Sequence, residues 1–355
     1  MFENRIEKLR ERMKENCLDG VLLVGDPNRN YMSGFTGDES FAVIGLDRAI
    51  FITDSRFTEQ AKSQVKDFEI RQYNGKIEEF LSDVVEELEI KTLGFEEDIL
   101  TFDKYCLYAK NLSCKLVPME GMVEQIRIIK DSDEVAAIRK AASIADEAFM
   151  KILQFVKPGM TEREVGVELE YWLKKFGASG LSFPSIVASG ERSSLPHGQA
   201  TDKVIRMGDF LTLDFGCVYN DYCSDMTRTI VMGNATEKMT EVYNIVLKAQ
   251  EAALKSFKPG VTGSEVDKVG RDIIKENGYG NYFGHGLGHG VGREIHENPR
   301  VSPMGNTVLR AGMVVTDEPG IYLPNEFGVR IEDLVVITEN GCEVLSKSPK
   351  DMIFI

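Results

Sequence analysis

At 355 residues the chain is about twice as long as a typical single domain, so two domains are expected, each able to bury its own core. Hydrophobic residues at 43% and charged residues at 28% exclude a disordered or fibrous chain. The balance of 42 basic against 57 acidic residues, a net charge of −15, has the wrong sign for a general nucleic-acid or anionic-membrane binder. No apolar run approaches the roughly 20 residues that span a bilayer.

The opening stretch MFENRIEKLRERMKENC reads as a charged helix and not as an apolar signal segment. A cytoplasmic location is expected, with no nucleic-acid and no membrane partner. The cysteines Cys17, Cys106, Cys114, Cys217, Cys223 and Cys342 form no CxxC pair, so free thiols are expected and not a disulfide scaffold or thiolate zinc site.

Along the first third, VLLVG (21–25), FAVIGL (41–46), AIFITD (49–54), FEIRQY (68–73), KTLGFE (91–96) and CKLVPM (114–119) predict strands, and residues 55–65, 76–89 and 101–111 predict helices. This alternation defines an α/β N-terminal domain over residues 1–125. GMVEQIRIIKDS (121–132) reads as a connection, and Asp131 with Glu134 forms a capping box that opens a helix with apolar positions Val135, Ile138, Ala142, Ala145, Phe149 and Ile152.

Residues 126–355 carry an internal repeat. KPGMTEREV (157–165) returns as KPGVTGSEV (258–266), each a Pro-Gly break followed by a Thr-x-x-Glu helix start, and RMGDFLTLDFG (206–216) realigns with RAGMVVTDEPG (310–320), superposing Asp214 on Glu318. Two copies of about 100 residues are too few and too long for a solenoid, so a duplicated half-domain related by a pseudo-twofold axis is expected.

In the first copy, FLTLDFG and CSDMTRTIVM flank a turn at Asn220-Asp221, and a hairpin there brings Asp214 and Asp225 roughly opposite each other. In the second, VVTDEPGIY and VRIEDLVVIT flank LPNEFG, and Glu318 and Glu332 straddle Asn325. Opposed strand residues have Cβ atoms about 4.5–5.5 Å apart, which suits carboxylates sharing divalent cations about 3.5–4 Å apart. Four carboxylates gathered without cations would repel one another strongly. An acidic residue near a hairpin is ordinarily solvated; the apolar context Leu213-Asp214-Phe215 and Ile331-Glu332, and the matched placement in both copies, argue otherwise.

All four histidines fall in two glycine-flanked segments: His197 in SSLPHG, and His285, His289 and His296 in GHGLGHGVGREIHENP (284–299). Those glycines fit neither a dinucleotide fingerprint nor a P-loop. An imidazole among four carboxylates is too hard a set for copper(I) or structural zinc, and its nitrogen disfavours calcium or magnesium alone; Mn²⁺, Co²⁺, Fe²⁺ and catalytic Zn²⁺ remain.

PHG at 196–198, LDFG with SDMTRT, HGLGHGVGREIHENP, TDEPGIYLP and VRIEDLVVIT together resemble the pita-bread metallopeptidases, in particular their Xaa-Pro branch of aminopeptidase P and prolidase. The resemblance runs from about residue 125 to the end, and NYMSGFTG (30–37) and TDSRFTEQA (53–61) extend it to the creatinase/prolidase type of N-terminal domain. It implies an α+β pita-bread catalytic domain holding two divalent metal ions, manganese first among them. Asp214 would bind one metal, Asp225 and Glu332 would bridge, and His289 and Glu318 would bind the second. Glu318 would also shuttle the proton, with His296 and His197 as catalytic groups donating to the developing oxyanion and His285 and Arg300 binding substrate. The cation pair would activate a water for attack on the carbonyl before proline. Asp317, where relatives commonly carry an apolar residue, should face away from Glu318 along the strand.

In prolidase-like members an arginine after the HExP segment is associated with the substrate's C-terminal carboxylate, and Arg300 follows His296-Glu297-Asn298-Pro299. TDSRFTEQA points the other way, toward aminopeptidase P. The expected activity is therefore an Xaa-Pro aminopeptidase acting on peptides with proline at the second position, with an Xaa-Pro dipeptidase as the alternative and a homodimer as the expected assembly. A non-catalytic pita-bread interaction protein would require a broken ligand set, and none of the five positions is broken. A two-metal phosphoesterase would require basic residues converging on the site, and GHGLGHGVGREIH offers few.

Overall fold

The computed structural model describes residues 2–355; of the expected N-terminal domain, Met1 lies outside them. Two compact units are present, Met1–Arg127 and Ile128–Ile355.

In the first unit, α1 (Phe2–Glu15), β1 (Gly20–Leu23), α2 (Asp26–Ser33), β2 (Ser40–Gly45), β3 (Ala49–Thr53), α3 (Thr58–Gln64), β4 (Glu69–Gln72), α4 (Ile77–Glu87), β5 (Thr92–Phe95), α5 (Phe102–Asn111), β6 (Lys115–Pro118) and α6 (Glu124–Arg127) follow in order. One six-stranded sheet runs β4-β3-β2-β1-β5-β6, with β2 antiparallel to both neighbours and the other pairs parallel. Its four inner strands, β1, β2, β3 and β5, are almost wholly buried because both faces are covered, while the edge strands β4 and β6 are partly exposed. Val21, Leu23 and Phe51 enter the core with Ile6, Leu9 and Met13 of α1, while Leu22, Ile50 and Ile52 enter the other with Leu81, Val84 and Val85 of α4. Residues 124–127, read as connection, form α6 instead. Val123 and Ile126 bury in the first core and Arg127 bonds Asn28 at 2.8 Å, so the first unit runs to Arg127.

The second unit opens on α7 (Ser132–Phe155), whose capping box uses Asp131 and Glu134. There follow α8 (Glu162–Lys175), β7 (Gly180–Leu181), β8 (Ile186–Ser189), β9 (Phe210–Phe215), β10 (Cys217–Tyr219), β11 (Tyr222–Cys223) and β12 (Met226–Val231). The second copy holds α9 (Glu237–Leu254), α10 (Gly263–Glu276), β13 (Gly288–Gly290), β14 (Glu297–Val301), β15 (Val314–Asp317), β16 (Gly320–Leu323), β17 (Phe327–Arg330), β18 (Asp333–Thr338) and β19 (Gly341–Val344). Residues of α7 and α8 build one core with β9 and β12; residues of α9 and α10 build another with β15 and β18.

The repeat is visible bond by bond. Gly159 N–H donates to Ile205 at 2.9 Å as Gly260 does to Leu309 at 2.9 Å, and Arg163 donates to Thr201 at 2.9 Å as Ser264 does to Gly305 at 2.8 Å. Thr161 and Thr262 each complete a capping box. Gly208 and Gly312 share a φ of 88°, a left-handed turn that glycine adopts without a Cβ penalty. The two copies are duplicated halves of an α+β pita-bread domain, and among the described residues no helix is long and apolar enough to cross a membrane.

Candidate metal centre and active site

Strand alternation delivers the carboxylates. On β9, Leu211, Leu213 and Phe215 enter the core, which turns Thr212 and Asp214 to the opposite face. On the second hairpin Val329 and Ile331 are core residues, which turns Arg330 and Glu332 to the shared face. Glu332 N–H donates to Thr227 of β12 at 3.1 Å, joining the halves, and the buried guanidinium of Arg228 fixes that junction by bonding the Glu332 carbonyl and Asp333 Oδ1, the latter at 2.8 Å.

One expected pairing needs correction. Asn220 and Asp221, both at positive φ, make the turn between β10 and β11, but the register sets Asp214 opposite Thr227, and Asp225 sits two residues back on the same edge. The carboxylates are diagonal neighbours. Gly216 permits this approach: a Cβ there would lie 1.9 Å from the Ser224 carbonyl. In the second half, Asp317↔Asp333 and Gly320↔Arg330 bracket Glu318 and Glu332 in a register that sets these two opposite each other.

Asp214, Asp225 and Glu332 converge so that one oxygen of each lies within 4.8 Å of the others. His289 Nε2 stands 3.4 Å from Glu318 Oε1 and 3.6 Å from Asp225 Oδ2. Its Nδ1 lies 3.0 Å from the Gly290 carbonyl, a geometry that assigns the proton to Nδ1 and leaves the Nε2 lone pair facing the carboxylates. Gly288 admits this strand, since a Cβ there would meet the Thr316 carbonyl at 2.2 Å. Thr316 Oγ1 accepts from His289 N–H at 3.0 Å and donates to Glu318 Oε1 at 3.1 Å.

The donors fit divalent cations. Asp214 Oδ1 and Glu332 Oε1 are buried with no hydrogen-bond partner, although buried oxygens are ordinarily satisfied. Burial first, then neighbouring carboxylates, pushes Asp225 and Glu332 well above the usual carboxylate range, and burial raises Glu318 as well. Asp317 faces away: its carboxyl meets Gln250 of α9 at 3.1 Å and is raised by burial and by Asp333.

These shifts set a pH dependence for the metal-free protein. A carboxyl whose folded pKa is raised contributes stability that is present below the unfolded value and lost as pH climbs through the folded one. In chelator, Asp225→Asn should therefore match wild type near pH 4 and exceed it in Tm by several degrees at pH 8. A Tm difference that does not change with pH rejects the repulsion.

A cavity of about 820 Å³ opens over the cluster, lined by Asp214, Asp225, Glu318 and Glu332 and by all four histidines. His296 packs edge-on to His289 with ring centroids 4.3 Å apart, and burial together with His289 and His197 lowers its pKa, favouring the neutral ring. His285 spends both nitrogens on the protein, Nδ1 at 2.8 Å from the Gly286 carbonyl and Nε2 at 2.8 Å from Tyr322 Oη. It therefore shapes the wall through Tyr322. Arg300 is exposed on β14, cross-strand from His289, and lines an adjoining pocket of about 440 Å³ that shares Gly286, Gly288, His289 and His296 with the main cavity.

Arg330 is the principal residue that sequence reasoning passed over. Buried at 3% exposure, it donates to Asp214 Oδ2 at 2.5 Å, Thr227 Oγ1 at 3.0 Å, Tyr322 Oη at 2.7 Å and the Pro196 carbonyl at 3.2 Å. Thr227 in turn donates to Glu332 Oε2 at 2.6 Å. The available signal was an arginine inside an apolar strand, two residues and hence one face from Glu332.

Buried carboxylates and an imidazole gathered between duplicated halves define a metal-dependent hydrolase. Residues 136–339 match the model of metallopeptidase family M24, and residues 5–129 match the creatinase/prolidase N-terminal domain. The chain belongs to family M24 and is a metallopeptidase. The Xaa-Pro dipeptidase of Pyrococcus furiosus is 42% identical over 99% of this chain and 100% of its own. The solved structure of an Xaa-Pro dipeptidase from Bacillus anthracis is 48% identical and superposes with a TM-score of 0.99 over all of both chains. An X-Pro aminopeptidase from Thermotoga maritima is 41% identical with a TM-score of 0.92, over 97% of this chain and 100% of that one.

Proposed function

We propose that this chain is an Xaa-Pro dipeptidase that holds two divalent ions, with manganese as the first candidate and cobalt, zinc and iron as the others. The observation that carries the dipeptidase reading is Arg300. It is the cross-strand partner of His289 and lines the pocket that adjoins the cavity, from where its guanidinium can take the carboxylate of a residue one step past the scissile bond through paired charge-assisted hydrogen bonds. Relatives at 42% and 48% identity carry that name. The aminopeptidase reading leaned on TDSRFTEQA, and that segment does local work in the first unit: Asp54 pairs with Arg56 at 2.5 Å, and Thr58 Oγ1 bonds the Asp54 carbonyl at the start of α3.

Asp214 is assigned to one metal, Asp225 and Glu332 to both, and His289 with Glu318 to the other. Bound there, the pair supplies Lewis acidity and an activated water. Glu318, raised by burial, is suited to take a proton and pass it to the leaving proline nitrogen. His296 and His197 donate to the carbonyl oxygen as it gains charge, and Phe183, Pro184 and Ile186 give the cavity an apolar wall.

The test compares kcat/KM on Ala-Pro and Ala-Pro-Ala, with bound metal measured by mass spectrometry. Wild type should favour the dipeptide, and Arg300→Ala should lose about 10- to 100-fold on Ala-Pro with little change on Ala-Pro-Ala, since even one of the paired bonds to a charged group is worth about 1.5–3 kcal/mol. Equal effects on the two lengths remove Arg300 as the length selector and return the choice to aminopeptidase action.

A further inference from the structure

The segment after β8 leaves the sheet at Ser189 and comes back against β8 where Gln199 bridges Ile186, and it contributes Ser194, Pro196, His197 and Gln199 to the cavity wall. Both ends are tied to a single carboxylate. Glu162, the first residue of α8, is fully buried; its Oε1 accepts from Ser189 N–H at 2.8 Å and Ser189 Oγ at 2.9 Å. Its Oε2 accepts from Thr201 N–H at 3.1 Å, from Thr201 Oγ1 at 2.7 Å and from the guanidinium of Arg192. Arg192 extends the tie by donating to the Gln199 carbonyl at 2.8 Å.

The duplication isolates what this carboxylate is for. Both copies start their helix with a capping threonine and a reciprocating glutamate, Thr161 with Glu164 and Thr262 with Glu265. Only the first copy places a glutamate between them. Its counterpart is Gly263, where a Cβ would meet the Arg300 carbonyl at 2.2 Å. Starting the helix therefore does not require Glu162, and all the bonds of its carboxylate run to the segment that carries His197. The middle of that segment has other anchors, Ser193 Oγ to Gly328 N–H at 2.8 Å and Pro196 to Arg330 at 3.2 Å. The limb from His197 to Thr201 is held by side chains through Glu162 and Arg192, beside a backbone bridge from Gln199 to Ile186 and the Arg163 N–H bond to the Thr201 carbonyl.

We propose that Glu162, acting with Arg192, is the positioning residue for the His197 wall of the active site. It closes the excursion at both ends, so the loop reaches its bound geometry without a further ordering cost when substrate enters. The proposal rests on the assignment of His197 to the reacting carbonyl made above. Glu162→Gln keeps the shape and one acceptor but turns an amide toward the donors of Thr201 and Arg192.

The expected result is a fall of about tenfold in kcat/KM on Ala-Pro at unchanged metal content, shrinking to less than about twofold when the change is made in a His197→Ala background. A full tenfold loss in that background overturns the proposal, since a merely structural residue would act equally in both. Should Glu162→Gln fail to fold, Thr201→Val removes one donor, and its smaller loss must show the same dependence on His197. Hydrogen exchange of the metal-free protein is read without any substrate: amides between 193 and 200 should exchange about tenfold faster in Glu162→Gln while those of α8 and β9 keep their rates. Unchanged exchange there overturns the positioning role. Failure of wild type to cleave Ala-Pro, with exchange changed as stated, counts against the substrate assignment and not against Glu162.

Discussion

Glu332→Ala and Asp225→Ala should each lower kcat by about three orders of magnitude or more, a loss of roughly 4 kcal/mol of transition-state stabilisation. Each removes one of the three carboxylates that converge within 4.8 Å, where Asp214 Oδ1 and Glu332 Oε1 are buried without a hydrogen-bond partner. The fold should survive. Both carboxyls are disfavoured in their charged form by burial and by neighbouring carboxylates, so the metal-free variants should melt no lower than metal-free wild type at neutral pH. The measurement pairs bound metal per chain with kcat on Ala-Pro. Near-normal turnover with full metal occupancy in either variant rejects the assignment of these two carboxylates to both ions.

Arg330→Leu is expected to act on activity and on stability together. The guanidinium is the buried positive charge facing Asp214, and removing one partner of a buried pair costs about 3–5 kcal/mol because the other charge is left uncompensated. It also holds Tyr322 Oη, whose own proton is then directed at His285 Nε2, and through Thr227 it steadies Glu332. Loss of these contacts should lower kcat by about 100-fold, with Tm falling more in chelator than in the metal-loaded protein, where the cations compensate the carboxylates. Arg330→Lys should recover little, since an ammonium cannot span acceptors on Asp214, Thr227, Tyr322 and Pro196 at once. Wild-type kcat in the lysine variant would reduce Arg330 to a point charge and remove its part in ordering Tyr322.

Several features were legible in the sequence because they are local. The strands of the first unit follow from apolar runs, the helix starts at Asp131, Thr161 and Thr262 from capping boxes, and the duplication from the return of KPG-x-T and of RMGD as RAGM. The turn at Asn220-Asp221 belongs with these, since its left-handed backbone is a property of a few residues. The residue types of the centre were legible too, because charged side chains inside apolar strands need a partner and the matched copies supply one. What only the tertiary structure decided is how those residues meet. The offset between Asp214 and Asp225 is a matter of register, set by the close approach at Gly216. Arg330, Arg228 and Glu162 reach partners more than 25 positions away, and no periodicity announces where a long side chain ends. Burial and charge are properties of the folded neighbourhood: the same aspartate is solvated on an open hairpin and metal-seeking once the fold buries it beside three other carboxylates.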